Sequence, residues 1–207
     1  MHPLRTALLS LSCLIAVPAI GEDLPSFGDS SSGIVSQREE RELGHAYLSI
    51  IRGQTAQIPD PLLKNYLEDT VYRLAESSQV QDPRFSFILL KSPQLNAFAA
   101  PGGIIGVNGG LFLYAQNEGE FASVLAHELA HLSQRHFARG LEARQQMQIP
   151  MMAAMLGGII AMAAGAGDAG VAAIASSQAA AMQAQQRFSR QNEQEADRIG
   201  MQTLGNA

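Results

Sequence analysis

The sequence predicts a mainly helical α+β fold in which a small, mostly antiparallel sheet lies beside one central helix. Apolar residues recur at helical spacing in several long stretches, whereas an alternating pattern is confined to residues 85–107. Hydrophobic residues make up 46% of the 207 residues, which is enough for one domain with a substantial core. The net charge of -5 and the absence of a Lys/Arg cluster argue against nucleic acid as a partner.

The first residues have the pattern of a cleavable signal peptide, which we assign to residues 1–21. Arg5 supplies the positively charged start, residues 7–17 are an apolar run, and residues 19–21 form a small-residue cleavage site. The apolar run is short for a membrane-spanning helix, and an uncleaved anchor is the alternative. Cleavage would remove Cys13, the only cysteine, so the exported protein would have neither disulfides nor thiolate metal ligands.

An extended segment precedes the domain, which we assign to residues 36–207 and which opens with two helices. Residues 22–35 are rich in Ser, Gly and Asp and predict the extended segment. Ser36 begins a capping box that predicts a helix over residues 37–52, and Asp60 caps the second helix. The apolar residues at helical spacing are Leu43, Tyr47, Ile50 and Ile51 in the first helix, and Leu63, Tyr66, Leu67, Val71 and Leu74 in the second.

The alternating stretch predicts three short strands. In residues 85–89, Phe85, Phe87 and Leu89 point to one face and the residues between them point to the other. Residues 95–100 and 104–107 are expected to form two further strands. The sequence Pro-Gly-Gly at residues 101–103 permits a tight reversal between them. We therefore expect a small sheet with mostly antiparallel pairing, followed by a short helical turn over residues 111–115.

The next helix carries the motif His-Glu-x-x-His. Asn117 caps this helix, with Glu120 in the capping-box position three residues later. His127 and His131 are four residues apart and share one face of the helix, so both imidazoles can bind one zinc ion. Glu128 lies beside them, where a metallopeptidase needs a group that accepts and returns protons. The motif predicts a hydrolytic zinc site.

A catalytic zinc takes three protein ligands, so one more must come from elsewhere in the chain. His136 has the wrong spacing for a metzincin ligand, and we expect it to be a partly exposed helix residue. Glu142 is expected to continue the same helix, about 20 Å from His127 and out of reach. Asp168 lies in a Gly/Ala tract with no rigid element to hold it.

The remaining candidates are the acidic residues near the end of the chain. Glu193 and Asp197 are one helical turn apart on one face, so one can bind zinc while the other orients a ligand histidine. The spacing does not decide which residue has which role. Glu195 points away from that face, and we expect it to be solvated.

These two motifs together resemble a known family. Residues 125–131 (LAHELAH) and 192–198 (NEQEADR) are similar to the HtpX and CAAX-prenyl-protease superfamily of zinc metallopeptidases. The leader, residues 96–99 (NAFA), residues 101–103 (PGG) and residues 135–136 (RH) resemble its periplasmic branch, the beta-barrel assembly-enhancing proteases. The resemblance extends from about residue 33 to residue 204, and longer members continue into tetratricopeptide repeats.

The resemblance implies a zincin-like fold of the gluzincin type with one zinc ion per chain. By that resemblance Glu193 is the third ligand, beside His127 and His131, and Asp197 orients a ligand histidine. It also implies a periplasmic location and a role in outer-membrane protein quality control.

Between the two motifs lies an Ala/Met-rich tract, residues 149–184. It has no charge from residue 149 to residue 167, and its glycines predict a helical hairpin that turns at residues 165–170. We expect this hairpin insertion to lie beside the active site as a lid or a membrane-surface contact, because Met-rich apolar surfaces adapt to varied partners. The alternatives are a transmembrane helix and an ordinary core helix.

The predicted function is a zinc-dependent endopeptidase that hydrolyses misfolded or unassembled exported and outer-membrane proteins, with Glu128 as the general base. The expected partners are such polypeptides, and the outer-membrane assembly machinery or a membrane surface. Substrate would pair with an edge strand formed by Asn96, Ala97, Phe98 and Ala99 or by Ile104, Ile105, Gly106 and Val107. The alternatives are a non-proteolytic periplasmic chaperone with a structural zinc and a membrane-bound housekeeping protease.

Overall fold

The computed structural model describes residues 35–207, so the predicted signal peptide and almost all of the extended segment lie outside the described residues. Six helices and three strands make up this part of the chain, which confirms the mainly helical α+β fold. They are α1 (Gln37–Gln54), α2 (Pro61–Glu76), β1 (Ser86–Leu90), β2 (Ala97–Ala100), β3 (Ile104–Asn108), α3 (Gly109–Tyr114), α4 (Glu118–Ser133), α5 (His136–Ala163) and α6 (Gly167–Asn206).

Side-chain caps determine where three of the helices begin, as predicted. The Ser36 side chain accepts a hydrogen bond from the Glu39 backbone N–H, and Glu39 bonds back to the Ser36 N–H. The Asp60 carboxylate accepts from the N–H groups two and three residues later, and Asn117 accepts from the N–H of Glu120. Each cap satisfies backbone donors that the first helical turn leaves without partners.

Three of the four apolar residues at helical spacing in α1 face solvent, and the fourth, Ile51, packs with Leu48. Leu43, Tyr47 and Ile50 are each at least 42% exposed, and α1 packs instead through Gly44 and Leu48. A Cβ atom at Gly44 would collide with the carbonyl of Pro101, so the helix lies directly against the β2–β3 connection. Because α1 contacts the domain along this narrow line, helical spacing alone does not identify the buried face.

The sheet is mixed rather than mostly antiparallel. The strand order is β1-β3-β2, with β2 antiparallel and β1 parallel to β3. The chain reverses after β1 and again at residues 101–103, where Gly102 and Gly103 have φ angles of 77° and 81°. After two reversals, β3 runs in the same direction as β1. Because β3 lies between β1 and β2, it pairs with β1 in parallel. The predicted edge strand at residues 104–107 is therefore wrong, because β3 is central and fully buried, whereas β2 is at an edge.

The core lies between the sheet, α2 and α4. Side chains from all three layers are completely buried there. They include Leu67, Val71, Ile105, Leu125 and Leu129. α4 is covered on one side by α2 and β2 and on the other by α6. The helix that carries His127 and His131 is consequently the most enclosed helix of the site.

α4 ends before Glu142, contrary to the expectation of one continuous helix. Arg135 adopts a left-handed conformation, with φ 51° and ψ 41°, and α5 begins at the next residue. This conformation is uncommon for a residue with a side chain. Hydrogen bonds from the Arg135 guanidinium to the Val35 carbonyl and the Glu40 carboxylate hold it in place.

α5 and α6 form a long antiparallel hairpin that turns at residues 164–166, where Gly165 has a φ of 88°. The predicted Ala/Met-rich hairpin is the outer part of these two helices. One helix of the described part, α5, is long and apolar enough to cross a membrane, and 6% of its most apolar stretch is buried. The described residues therefore do not enclose this stretch as they would enclose an ordinary core helix.

Candidate metal centre

Three predicted ligand residues meet where α6 crosses α4. On α4, one helical turn brings the Nε2 atoms of His127 and His131 to 3.0 Å from each other. The Glu193 Oε2 atom from α6 lies 3.5 Å from the first of these nitrogens and 3.8 Å from the second. The three potential ligand atoms thus lie within 4.8 Å of one another.

Asp197 occupies the other side of His127. Its Oδ1 atom is 2.9 Å from the His127 Nδ1 atom and accepts the hydrogen of that nitrogen. Glu193 therefore faces the imidazole Nε2 atoms, whereas Asp197 faces the opposite nitrogen of His127. With Nδ1 bound to Asp197, the His127 Nε2 atom is directed toward Glu193.

His136 and Glu195 differ from their predicted environments. His136 is 6% exposed rather than partly exposed, and its Nδ1 lies 2.8 Å from His131 Nδ1. Its Nε2 lies 3.2 Å from Glu195 Oε2, which also accepts a 2.8 Å hydrogen bond from Arg139. Glu195 is therefore enclosed and paired, not solvated. The break at Arg135 causes both differences, since it turns the start of α5 inward, below His131.

This chain of hydrogen bonds determines the protonation of His131. Because Glu195 accepts a hydrogen from His136 Nε2, the His136 Nδ1 is left as an acceptor for the Nδ1–H of His131. Burial lowers the pKa of His136 to about 4, against the raising effect of its hydrogen bond to Glu195, which agrees with a neutral ring. His131 then directs an unprotonated Nε2 at Glu193.

The donor set fits a single divalent cation. Two imidazole nitrogens and one carboxylate oxygen converge on one point, an arrangement that a divalent cation can satisfy when it accepts their lone pairs. Ligand atoms on a tetrahedral zinc ion, each about 2.0–2.1 Å from it, lie about 3.3 Å apart. The separations of 3.0, 3.5 and 3.8 Å bracket that value.

We expect the His136→Leu variant to bind zinc about 10–100-fold more weakly than the wild type, because the His131 Nδ1–H loses its buried acceptor. Competition with a chromophoric chelator measures this affinity. His136→Asn, which restores an acceptor, should recover part of the loss. His45→Leu removes an exposed histidine of α1 and is the matched control. Equal affinities of the His136→Leu and His45→Leu variants would contradict the role of His136.

Gly200 allows α6 to approach α4 closely enough to bring these groups together. A Cβ atom at this position would lie 3.0 Å from both the N and the Cα atoms of His127. Ala196 and Ile199 bury the same face of α6 against Ala130. Glu193 and Asp197 precede Gly200 by about two turns and one turn, so they lie on this face.

Glu128 lies between the metal-binding residues and β2. Its Oε2 atom accepts a 2.8 Å hydrogen bond from the Ala99 backbone N–H. Burial raises the pKa of Glu128 to about 7, against the lowering effects of His127 and of the Ala99 N–H. The carboxyl group is thus held at the strand edge with its second oxygen unused by any hydrogen bond that the described residues make.

A cleft of about 370 Å³ opens in front of these groups. β2 forms one wall, and His127, Glu128, His131 and Glu193 form the facing wall. The cleft therefore joins the candidate metal site to the edge strand. Among the predicted substrate-contacting residues, those of β2 lie in the cleft and Asn96 directly precedes them.

Sequence reasoning missed the hydrogen bonds that join His136 and Arg139 to Glu195. His136 and Arg139 follow the motif closely, and Glu195 lies two residues after Glu193, so proximity in sequence to both motifs was the available signal. That signal could be interpreted only with the position of the helix break at Arg135.

Comparisons with known proteins identify the family of the chain. The model of peptidase family M48 matches residues 61–207. The beta-barrel assembly-enhancing protease of Escherichia coli (strain K12) is 36% identical over 204 residues, which cover 94% of this chain and 42% of that protein. The protein of the same name from Yersinia pestis is 40% identical over 182 residues, covering 87% of this chain and 37% of that protein.

A more distant similarity, 35% identity over 79 residues, covers 36% of this chain and 26% of protease HtpX from Shewanella loihica. This agrees with the superfamily that the two motifs resemble. The chain spans about two fifths of the length of the curated beta-barrel assembly-enhancing proteases that it matches. With the family model matched across the motif helix, the sheet and α6, the chain belongs to peptidase family M48 and carries a metalloendopeptidase domain of that family.

Proposed function

We propose that this protein is a zinc-dependent endopeptidase that cleaves unfolded or unassembled exported proteins, including those of the outer membrane. The observation that carries the proposal is the single cleft in which a His/His/Glu donor set, the Glu128 carboxyl group and the edge of β2 meet. Membership of peptidase family M48 supports peptide-bond hydrolysis.

His127, His131 and Glu193 would hold one zinc ion per chain. When bound there, zinc would polarise the substrate carbonyl and lower the pKa of a neighbouring water toward about 7. Asp197 and His136 keep the two imidazoles in the tautomer that this binding requires. The protein thus prepares the site by orienting ligands before substrate arrives.

Glu128 would act as the general base and then as the general acid. The Ala99 N–H holds one of its oxygens, and the other can accept the proton of the attacking water and return it to the leaving amine. Burial of this carboxyl group favours its protonated form more than solvent would. It can therefore both hold and release a proton near neutral pH, as the two transfers require.

β2 would bind the substrate backbone. The Ala99 N–H points toward Glu128 and not toward β3, so by strand alternation the N–H and C=O of Ala97 and the C=O of Ala99 also lie on the free side. An extended polypeptide can pair with these groups as an added strand. Such pairing recognises backbone rather than sequence, which suits unfolded substrates.

The cellular setting is proposed from the leader and from the named relatives. Residues 1–21 would direct export to the periplasm, and residues 22–35 would connect the leader to the peptidase domain of residues 36–207. Relatives named beta-barrel assembly-enhancing proteases support an action on beta-barrel proteins, and contact with the outer-membrane assembly machinery is part of our proposal. The hairpin insertion over residues 149–184 would extend beside the cleft.

Removal of the metal should abolish cleavage reversibly. After treatment with a chelator, the protein should cleave unfolded casein and an unfolded outer-membrane barrel protein at less than about a hundredth of its initial rate. About one equivalent of zinc per chain should restore the rate, whereas magnesium should not, because it prefers oxygen ligands. Cleavage by a metal-free preparation would contradict the proposal.

The competing function is a non-proteolytic chaperone with a structural zinc. A structural site is closed by four protein ligands, whereas the ligand atoms here face an open cleft beside an unused carboxyl oxygen. If the wild type holds one zinc, prevents aggregation of an unfolded protein and cleaves neither substrate, the chaperone function is correct and the protease function is not.

A further inference from the structure

The outward face of α5 carries a row of large apolar side chains, which we call the α5 stripe. Its residues follow one another at intervals of three or four along the helix, with one adjacent pair, so they share one face. Each is between 50% and 77% exposed. The members are Ile149, Met152, Leu156, Ile159 and Ile160. A contiguous apolar surface of this kind marks a contact site.

The hairpin has two glycines at its helix contact, where the Ile174 side chain lies beside Gly158, whereas the large apolar side chains of the α5 stripe face outward. Gly158 and Gly170 lie at the contact between α5 and α6, where a Cβ on Gly158 would meet the Gly170 carbonyl oxygen at 2.8 Å. A helical hairpin surrounded by water has the opposite arrangement. Residues 145–186 contain a single charged residue, Asp168. The surroundings for which this part of the hairpin is built are therefore apolar.

Cationic side chains flank the stripe at the base of the hairpin. Gly158 lies against Gly170 and Gly140 faces the ring of Phe188, so the two helices keep a constant antiparallel register. This register places Arg187 within about 5 Å of the level of Arg144 along the hairpin. Both guanidiniums are exposed, as is that of Arg190, and no ion pair with a described carboxylate holds them.

We propose that the α5 stripe binds the surface of a lipid bilayer, with Arg144 and Arg187 at the level of anionic headgroups. An apolar helix face bordered by arginines is the pattern of helices that lie in the membrane interface. Asp168 at the tip and the Ser and Gln residues of α6 oppose a crossing of the hydrocarbon core. The flanking arginines, with no acidic residue between them and the stripe, favour anionic lipid over an apolar protein surface.

Membrane binding through this face would hold the cleft near the bilayer. α5 begins at His136, which contacts His131, and Ile149 follows about 20 Å along the helix. The cleft would then lie about that distance from the headgroups, where unassembled membrane proteins are found. This inference goes beyond the proposed function, and its test does not use cleavage.

A fluorophore that responds to polarity tests the position of the stripe. The label is attached to the single cysteine of the Cys13→Ser/Ile160→Cys variant. The control is the Cys13→Ser/Leu62→Cys variant, because Leu62 is 79% exposed and lies in α2, away from the stripe. Vesicles of phosphatidylethanolamine and phosphatidylglycerol should shift the emission of the label at residue 160 to the blue and leave the label at residue 62 unchanged. This comparison is independent of any lipid binding by the leader.

Two further variants test the chemistry of the contact. Leu156→Gln/Ile160→Gln should weaken binding to these vesicles by about tenfold or more, whereas Leu62→Gln/Leu113→Gln, a pair that is 79% and 73% exposed, should not. Arg144→Gln/Arg187→Gln should weaken binding to the anionic vesicles and not to phosphatidylcholine vesicles.

Three results would overturn the inference. The first is a label at residue 160 that does not respond to vesicles. The second is a response of that label to unfolded casein alone, which would make the stripe a polypeptide-binding surface. The third is a fall in the mass measured by light scattering for Leu156→Gln/Ile160→Gln, without a vesicle response of the wild type, which would assign the stripe to a second copy of the chain.

Discussion

The Glu128→Gln variant is expected to lose cleavage of unfolded casein by about a thousandfold or more while it keeps its zinc. An amide is nearly the same size as the carboxyl group and its oxygen can still accept the Ala99 N–H, but it cannot take a proton from water. General base catalysis contributes about 10²–10⁴-fold, and here one group serves both proton transfers. The measurements are kcat/KM on unfolded casein, zinc per chain and Tm.

The matched control for this variant is Glu118→Gln. Glu118 is on the same helix, and its side chain is 57% exposed in an ion pair with Arg73. Such surface pairs contribute little to stability, so this variant should retain the wild-type kcat/KM. Wild-type cleavage by Glu128→Gln would show that another residue is the base. Normal zinc content together with the absence of cleavage in the wild type itself would rule out the protease function.

The Glu193→Ala variant is expected to bind zinc more than about 100-fold more weakly than the wild type, a larger loss than that caused by removal of a residue that only orients a ligand. The two histidines would then face the cleft without the carboxylate that approaches both Nε2 atoms. Asp197→Ala should cause a smaller loss, about 10–100-fold, because it leaves all three ligands in place and frees only the His127 ring to rotate.

The neutral control for Glu193→Ala is Gln194→Ala, which alters an exposed neighbour on the same helix. Glu195→Ala is unsuitable for this purpose, although its sequence position suggested it, because Glu195 is enclosed with His136 and Arg139. Competition with a chromophoric chelator gives the affinity of each variant, and Tm shows whether it is folded. Equal affinities of Glu193→Ala and Gln194→Ala would remove Glu193 from the ligand set.

Local rules were sufficient for the starts of three helices, including the helix that carries His127 and His131. The caps at Ser36, Asp60 and Asn117 depend on hydrogen bonds between residues two or three apart, so the sequence states them directly. The spacing of His127 and His131 placed both rings on one face for the same reason. The class of site was therefore predictable from a single helix.

Predictions failed where one segment had to be placed against a distant one. β1 and β3 pair in parallel because the chain reverses twice between them. The sequence of one strand does not reveal the number of reversals. The end of α4 depends on hydrogen bonds from Arg135 to Val35 and Glu40, which are about a hundred residues away. The same break buries His136, whose sequence spacing gave no reason to associate it with the metal site.

By itself, the sequence identified the motif helix and the family resemblance, and it gave two acidic residues as candidates for the third ligand. Only the tertiary structure decided that Glu193 faces the imidazole Nε2 atoms and that Asp197 and His136 bind the opposite ring nitrogens. The physical reason is that residues one turn apart share a helix face, so their roles depend on how α6 crosses α4. Gly200 fixes that crossing, because it is the point where the α6 backbone touches the backbone of His127.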